Sequence, residues 1–399
     1  MQLVPKERYT SPAFMERETR GLWPRVWLLA GRSAALTEVG SWITVEFGAQ
    51  SVIVARAKDG LVAHHNVCSH RGHRLTDQPS GRGRGWSCPY HRWSYSLEGE
   101  LLAVPDEHAF GPSFDRCNHG LSAVRVDEAL GFVWVHMGTP EVELGEWLAP
   151  VSSRLNAYGI EQWGQSSALS IDLGANWKTV VDAWNETYHA QGIHRQILGL
   201  IDDVNVRFEE LGPHGLLVVP FAAPSPRLGE QTTLNPLLQH MLRSAGVDPA
   251  RFEGGAAEVR PAIQGKVATD RRYDALQPEQ LTDCYNHYVF PNHSFVMWRD
   301  HMVLHRYRPN PTDPGRSWVD LFSLQRGAPE SATHEVWAED DPRMEEVLAQ
   351  DIAAVRSTQA GMRSVGFEGL VLGDTEERIR HMHRQLDATL DAAESGGSS

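Results

Sequence analysis

Two short segments carry the strongest chemical signal in the chain: Cys68-Ser69-His70 and, after 17 intervening residues, Cys88-Pro89-Tyr90-His91. Each offers one thiolate and one imidazole at the spacing of a loop tip. Two such loops can hold a [2Fe–2S] cluster with the thiolates on one iron and the imidazoles on the other. Exchanging two thiolates for neutral imidazoles removes negative charge and lifts the reduction potential to roughly −150 to +300 mV, against about −400 mV for an all-Cys plant-type cluster. That range suits an electron relay. Structural zinc is the bland alternative, although its usual finger pattern pairs Cys with Cys and then His with His instead of mixing them.

The runs Cys68-Ser-His-Arg-Gly-His-Arg-Leu75 and Cys88-Pro-Tyr-His-Arg-Trp-Ser-Tyr95 resemble the cluster loops of Rieske non-heme iron oxygenases, the terminal oxygenase (α) subunits of ring-hydroxylating systems. Gly72 and Pro89 match the family's turn residues, and Trp93 matches the aromatic that walls the cluster off from water. Arg92 stands where members usually carry Gly.

The resemblance extends to a second metal site. Members carry a mononuclear iron on a helix opened by Asn-Trp-Lys, and Asn176-Trp-Lys178 leads here to Asp182, Glu186, His189 and His194. Wound at 100° per residue, Trp177, Val181, Trp184 and Tyr188 share one stripe, and Asp182, Glu186 and His189 gather opposite. Alone, that face reads equally as a wet surface. His194 cannot share it on a regular helix, but a break at Gly192 would swing its imidazole back toward His189. Two imidazoles and one carboxylate make the facial triad that holds Fe(II) with positions left open. Asp351 is the expected carboxylate. A helix begun at Pro342 places it in the apolar stripe of Met344, Leu348 and Val355, where an unpaired acid is costly. The run Gln350-Asp to Gln359-Ala-Gly361 also resembles the family segment that supplies the ligand. A buried salt bridge is the structural alternative for Asp351. By resemblance, Glu186 bridges His91 of one chain to His189 of its neighbour in a head-to-tail homotrimer, with or without a β subunit, and Asp182 is the competing bridge.

Around these residues the pattern predicts a small all-β domain over 25–140. Its strands begin with Val26-Trp-Leu-Leu-Ala30, Trp42-Ile-Thr-Val-Glu-Phe47 and Ser51-Val-Ile-Val-Ala55, and end with Gly131-Phe-Val-Trp-Val-His136. Gly81-Arg-Gly-Arg-Gly85 reads as a flexible turn between the cluster loops. Residues 141–390, joined by 1–24 on the family's precedent, form a larger α+β catalytic domain of the family's helix-grip type with an antiparallel sheet, and 391–399 a disordered tail. Tyr285, Tyr288, Phe290, Phe295, Trp298 and Tyr307 read as core more than pocket. Cys117 and Cys284 read as buried thiols in a reducing compartment.

A net charge of −14 argues against a general nucleic-acid binder. No apolar run reaches bilayer length and no secretory h-region opens the chain, so a cytoplasmic protein is expected. Arg71, Arg74, Arg82, Arg84 and Arg92 crowd a stretch whose own acid is Asp77, a dock for an acidic ferredoxin or reductase or a set of partners across the trimer. No nicotinamide or flavin fingerprint occurs, so NAD(P)H electrons must come through a separate reductase. The expected activity is insertion of oxygen from O2 into an apolar aromatic or alicyclic substrate. The rivals are a monooxygenase of quaternary ammonium compounds and a non-catalytic Rieske electron carrier.

Overall fold

Alternation of β-branched and polar residues builds the first unit. In Ser41–Phe47 the side chains of Ile43, Val45 and Phe47 turn inward while their neighbours stay half-exposed, the period-2 signature of a strand covered on one face. The computed structural model describes residues 3–331 and 333–396. Its first compact unit centres on Arg17–Leu148. Ten strands build it: β1 Leu28–Arg32, β2 Ser41–Phe47, β3 Gln50–Ala57, β4 Gly60–His65, β5 Ser80–Arg82, β6 Gly85–Ser87, β7 Ser94–Ser96, β8 Leu101–Ala103, β9 Ala123–Ala129 and β10 Phe132–His136. Seven form one sheet in the order β1-β10-β9-β4-β3-β2-β5, and β6-β7-β8 form a small second one.

The stretch Gly81–Gly85 is not a flexible turn. Gly81 pairs with Trp42 in β5, where a Cβ would lie 2.4 Å from the indole, and a Cβ on Gly85 would lie 2.2 Å from the Tyr95 carbonyl. Close approach, not mobility, requires these glycines.

The second unit holds Ala149–Pro309 and Asp313–Ala392 with the N-terminal residues up to Glu16. The divisions fall at 16/17 and 148/149, against 24/25 and 140/141 from the sequence. Its sheet runs in the order β12-β13-β14-β15-β16-β17-β11-β18. The strands are β11 Gly164–Leu173, β12 Arg207–Leu211, β13 His214–Val219, β14 Cys284–Val289, β15 His293–Met297, β16 His301–Pro309, β17 Ser317–Gln325 and β18 His334–Trp337. All neighbours are antiparallel except β11 and β18. Tyr285, Tyr288, Phe290, Phe295 and Tyr307 are buried.

Four helices matter for the site: α1 Trp177–Trp184, α2 Ala190–Ile193, α3 Glu346–Met362 and α4 Glu377–Gly396. Helix α3 starts at Glu346, four residues beyond the expected Pro342, because Asp341–Met344 closes a turn of its own. A disordered tail from 391 is not found either. Leu386 and Leu390 keep α4 buried on one side, Glu394 pairs with Arg17 at 2.6 Å, and the helix runs to Gly396. The rest of the expected tail, 397–399, lies outside the described residues.

Strands β16 and β17 are tied by a buried carboxylate. Asp320 accepts from Nε of Arg306 (2.8 Å), from Nε and Nη2 of Arg308 (2.7 and 2.9 Å) and from Ser170 (2.5 Å). Burial opposes its ionisation, but the two guanidiniums outweigh that and hold it well below the usual carboxylate range. Its contribution to stability is therefore present above the unfolded value of about 4 and fades as pH falls toward the native one. Asp320→Asn should lower stability by about 3–5 kcal/mol at pH 7, since it removes the anion between one buried and one half-buried guanidinium. Urea midpoints should show that gap shrinking between pH 4 and 2; a gap constant with pH counts against the ion pairs.

Candidate metal centres

The two Cys/His loops are built alike. The amide of Cys68 donates to His73 O and that of Gly72 to Cys68 O; the amide of Cys88 donates to Trp93 O and that of Arg92 to Cys88 O. Each loop closes on a residue in the left-handed region, Gly72 at φ 74° and Arg92 at φ 62°. Arg92 thus makes the turn that Gly72 makes in the first loop, at a cost of about 1 kcal/mol.

Cys68 and Cys88 are buried and unbridged. The rings of His70 and His91 lie half-exposed, 4.7 Å apart at 75°. Trp93 stacks on His70 at 4.7 Å and 9°, with Phe110 at its edge. The Tyr95 hydroxyl lies 3.1 Å from Cys68 Sγ, where a donor withdraws charge from sulfur. Two thiols inside and two imidazoles outside fit a cluster with distinct sulfur and nitrogen irons.

The arginine rim is thinner than its sequence promised. Arg74 pairs with Glu46 at 2.5 Å and Arg82 with Glu38, both acids of the same unit. Arg71 lies over the Tyr90 ring. Arg84 and Arg92 remain exposed, without an ion pair among the described residues. Cys117, expected to be buried, is exposed, and Cys284 is buried.

In the second unit, α1 is capped by Asn176, whose Oδ1 accepts from the Lys178 amide at 2.9 Å. It ends sooner than expected. The Trp184 carbonyl accepts from Arg378 Nη2 at 2.7 Å and Asn286 Nδ2 at 3.0 Å, which satisfies the helix end and stops it there. The break therefore falls at Asn185–His189 and not at Gly192, which lies within α2. In this turn Glu186 Oε2 accepts the His189 amide at 3.0 Å, and Oε1 lies 2.5 Å from His189 Nδ1.

Gln359 fixes the opposing helix. Its Oε1 accepts from the Asn176 amide and the Thr179 hydroxyl, both at 2.8 Å, and its Nε2 donates to Tyr9 O. Asp351, Val355 and Gln359 follow at four-residue steps and are buried together. The result is a convergence: candidate donor atoms of His189, His194 and Asp351 all lie within 4.8 Å of one another. Asp351 Oδ1 stands 2.7 Å from His194 Nε2 and 3.8 Å from His189 Nε2. Burial alone would lower both imidazoles, but the carboxylates Glu186 and Asp351 outweigh it and raise them. A site that draws protons onto its imidazoles has the negative charge and the donor set for a divalent cation.

Beside these three residues opens a cavity of about 370 Å³, lined by Asp182, Glu186 and Glu376 together with Met362, Phe367 and Leu372. None of the six aromatics weighed from the sequence lines it. Asp182 does not reach His189; its Oδ2 accepts from the Tyr9 hydroxyl at 2.7 Å. Tyr9 in turn lies 2.6 Å from Nε2 of His383, whose Nδ1 faces the Arg8 guanidinium at 3.4 Å. Arginine only donates, so Nδ1 accepts, Nε2–H donates to Tyr9, and Tyr9 donates to Asp182. Nothing local in the sequence points to Tyr9, His383 or Arg378, because each acts through a partner more than 90 residues away, whereas Gln359 falls in the segment that carries the family resemblance.

The comparisons agree with this architecture. A model of the Rieske [2Fe-2S] domain matches residues 26–125, and one of the ring-hydroxylating alpha subunit (catalytic domain) matches residues 160–392. The chain belongs to that family, an oxygenase alpha subunit with a Rieske [2Fe–2S] cluster and a mononuclear iron. It is 34% identical over 196 residues to the glycine betaine monooxygenase oxygenase subunit of Chromohalobacter salexigens, a stretch covering 49% of this chain and 44% of that protein. The match thus spans about half the length of such curated relatives. Among solved structures, the quaternary ammonium Rieske monooxygenase CntA with L-carnitine shares the fold at TM-score 0.70 and 20% identity, over 97% of this chain and 95% of that one. Naphthalene 1,2-dioxygenase from Rhodococcus sp. does so at 0.70 and 18%, over 98% and 94%. No helix among the described residues is long and apolar enough to cross a membrane.

Burial pushes the Asp182 carboxyl up to about 7, against the pull of Tyr9 and Lys178. The native state then holds a proton that the unfolded chain releases near pH 4, so wild-type stability falls as pH rises from about 4 to 7. Asp182→Asn lacks that penalty and should gain on wild type between pH 5 and 8.5 in urea midpoints. An equal difference at both pH values contradicts a raised Asp182.

Proposed function

We propose that this chain is the terminal oxygenase component of a multicomponent system. NAD(P)H electrons, passed on by a separate reductase with or without a ferredoxin between, are received at Cys68, His70, Cys88 and His91. They are used where His189, His194 and Asp351 hold Fe(II). The observation that carries this reading is the convergence of those three donors in a chain that also holds two Cys/His loops. When bound, the cluster supplies single electrons and the iron supplies the open positions at which O2 is activated. A bare electron carrier has no use for the second donor set.

The residues around the iron have separate tasks. Glu186 accepts from His189 Nδ1–H and so turns the bare Nε2 toward Asp351. Its side chain is only 10% exposed, and both oxygens retain lone pairs after binding His189. That suits a further donor from a neighbouring chain, and we assign it to His91 of the next subunit in a head-to-tail homotrimer. Asp182, held by Tyr9, is left to wall the cavity. Apolar residues exclude water there, which favours a small apolar substrate. The three carboxylates that line it besides Asp351, and the quaternary ammonium substrates in the names of the relatives, support a second reading: a trimethylammonium compound. Four unbridged cysteines suit the reducing cytoplasm.

Metal analysis and single turnover test the reading together. The wild type should hold about three irons per chain, two in the cluster and one apart. Asp351→Ala should lose one and keep the cluster's visible spectrum; loss of neither means that the triad binds no iron. Glu186→Gln should keep all three while product per turnover of the chemically reduced protein falls about 10- to 100-fold. A panel of aromatic, alicyclic and trimethylammonium compounds, with products identified by mass, separates the substrate classes. Product from the trimethylammonium compounds alone selects the second reading, and product only from the others removes it.

The redox partner is assigned to Arg71, Arg84 and Arg92, the arginines of this stretch without a carboxylate partner among the described residues. Neutralising Arg84 and Arg92 should slow cluster reduction by the reductase and flatten its salt dependence, whereas Arg82→Gln, already paired to Glu38, should do less. Reduction at an unchanged rate in low salt would falsify this dock.

A further inference from the structure

Gln350 precedes the carboxylate that both imidazoles approach, and nothing in the motif marks it for a task of its own. Its Oε1 accepts from Nδ1 of His194 at 2.8 Å and from Nε2 of Gln196 at 2.7 Å. Its Nε2 reaches Oε1 of Glu346, one turn back on α3, at 3.4 Å. Donors on one side and a carboxylate on the other settle which end of the amide is oxygen. With Nδ1–H committed to Gln350, the deprotonated ring keeps its lone pair on Nε2, the atom 2.7 Å from Asp351.

The two candidate histidines are therefore treated unequally. His189 leans directly on a carboxylate, Glu186, at 2.5 Å. His194 leans on an amide that has a carboxylate behind it. The difference is one of charge: Glu186 sets a second anion beside Asp351, whereas the amide at 350 adds none. An amide aims the imidazole without adding charge.

We propose that Gln350 is a positioning residue for the mononuclear iron: its carbonyl, polarised by Glu346, fixes the His194 tautomer and ring orientation so that Nε2 is presented to the metal. The proposal rests on reading His189, His194 and Asp351 as ligands. It predicts that the acceptor at 350 controls metal affinity while contributing little to the fold, since Gln350 is half-exposed and Gln196 is at the surface.

The test uses the full chain with its cluster in place and the mononuclear iron removed by a chelator. Fe(II) is titrated back without oxygen against a chromophoric competitor, and melting is recorded with and without added Fe(II). Gln350→Leu should weaken Fe(II) binding about 10- to 100-fold and leave the metal-free melting temperature where it was. Gln350→Glu, which restores an acceptor, should bind within a few-fold of wild type or tighter. Wild-type affinity in Gln350→Leu overturns the proposal. So does Gln350→Glu as weak as Gln350→Leu, which would point to shape, or a metal-free melting temperature lowered as far as the metal-bound one, which would point to packing. His194→Ala separates the premise from the inference: if it binds Fe(II) like wild type, the ligand assignment itself has failed.

Discussion

A carboxylate set between two imidazoles in a water-poor place is unfavourable unless a cation joins them, and the catalytic unit is arranged around enforcing that meeting. Asp351 arrives on a long helix, His189 from a turn and His194 from beyond a single helical turn. None of these elements alone fixes the others. The constraint comes from side-chain amides and guanidinium groups that take up loose backbone ends: Gln359 at the start of α1, Arg378 and Asn286 at its finish. Arg378 stays charged although burial pulls it down to about 10, and it spends that charge on two carbonyls instead of a carboxylate. Stopping the helix after Trp184 frees Glu186 to fold back on His189.

The unit around Arg17–Leu148 meets a different constraint with one local device used twice. Each loop turns back through a left-handed residue and closes with the same pair of main-chain hydrogen bonds. Thiols face the interior and imidazoles the outside, with Trp93 flat against one of the two. The rings are thus inequivalent before any metal is considered: His70 is stacked, while His91 sits beside the exposed Tyr90.

Much of this was legible because it is local. The Cys/His spacing and the period-2 strands of the first unit are short-range signals. Asp351 was legible for a subtler reason: an acid in the stripe that also holds Val355 demands a partner. What escaped was set by distant parts of the chain. A 100° winding carried past Trp184 kept Glu186 and His189 on one helix, since nothing nearby announces that Arg378 will take the terminal carbonyl. The fully covered β14 shows no alternation, so periodicity said little about its neighbours. The arginine rim was overcounted because Glu38 and Glu46 come from β2 and the turn before it.

The wall behind Asp182 has a bearing on how the molecule is assembled. Tyr9 stands 173 residues before Asp182 and 374 before His383, so their contacts form only after residue 383 has been synthesised. The seven-stranded sheet of the first unit lies within Leu28–His136 and draws on far shorter sequence separations, so it can close before residue 383 is made. The loops of residues 68–73 and 88–93 can accordingly be in place before the cavity beside Asp351 is complete.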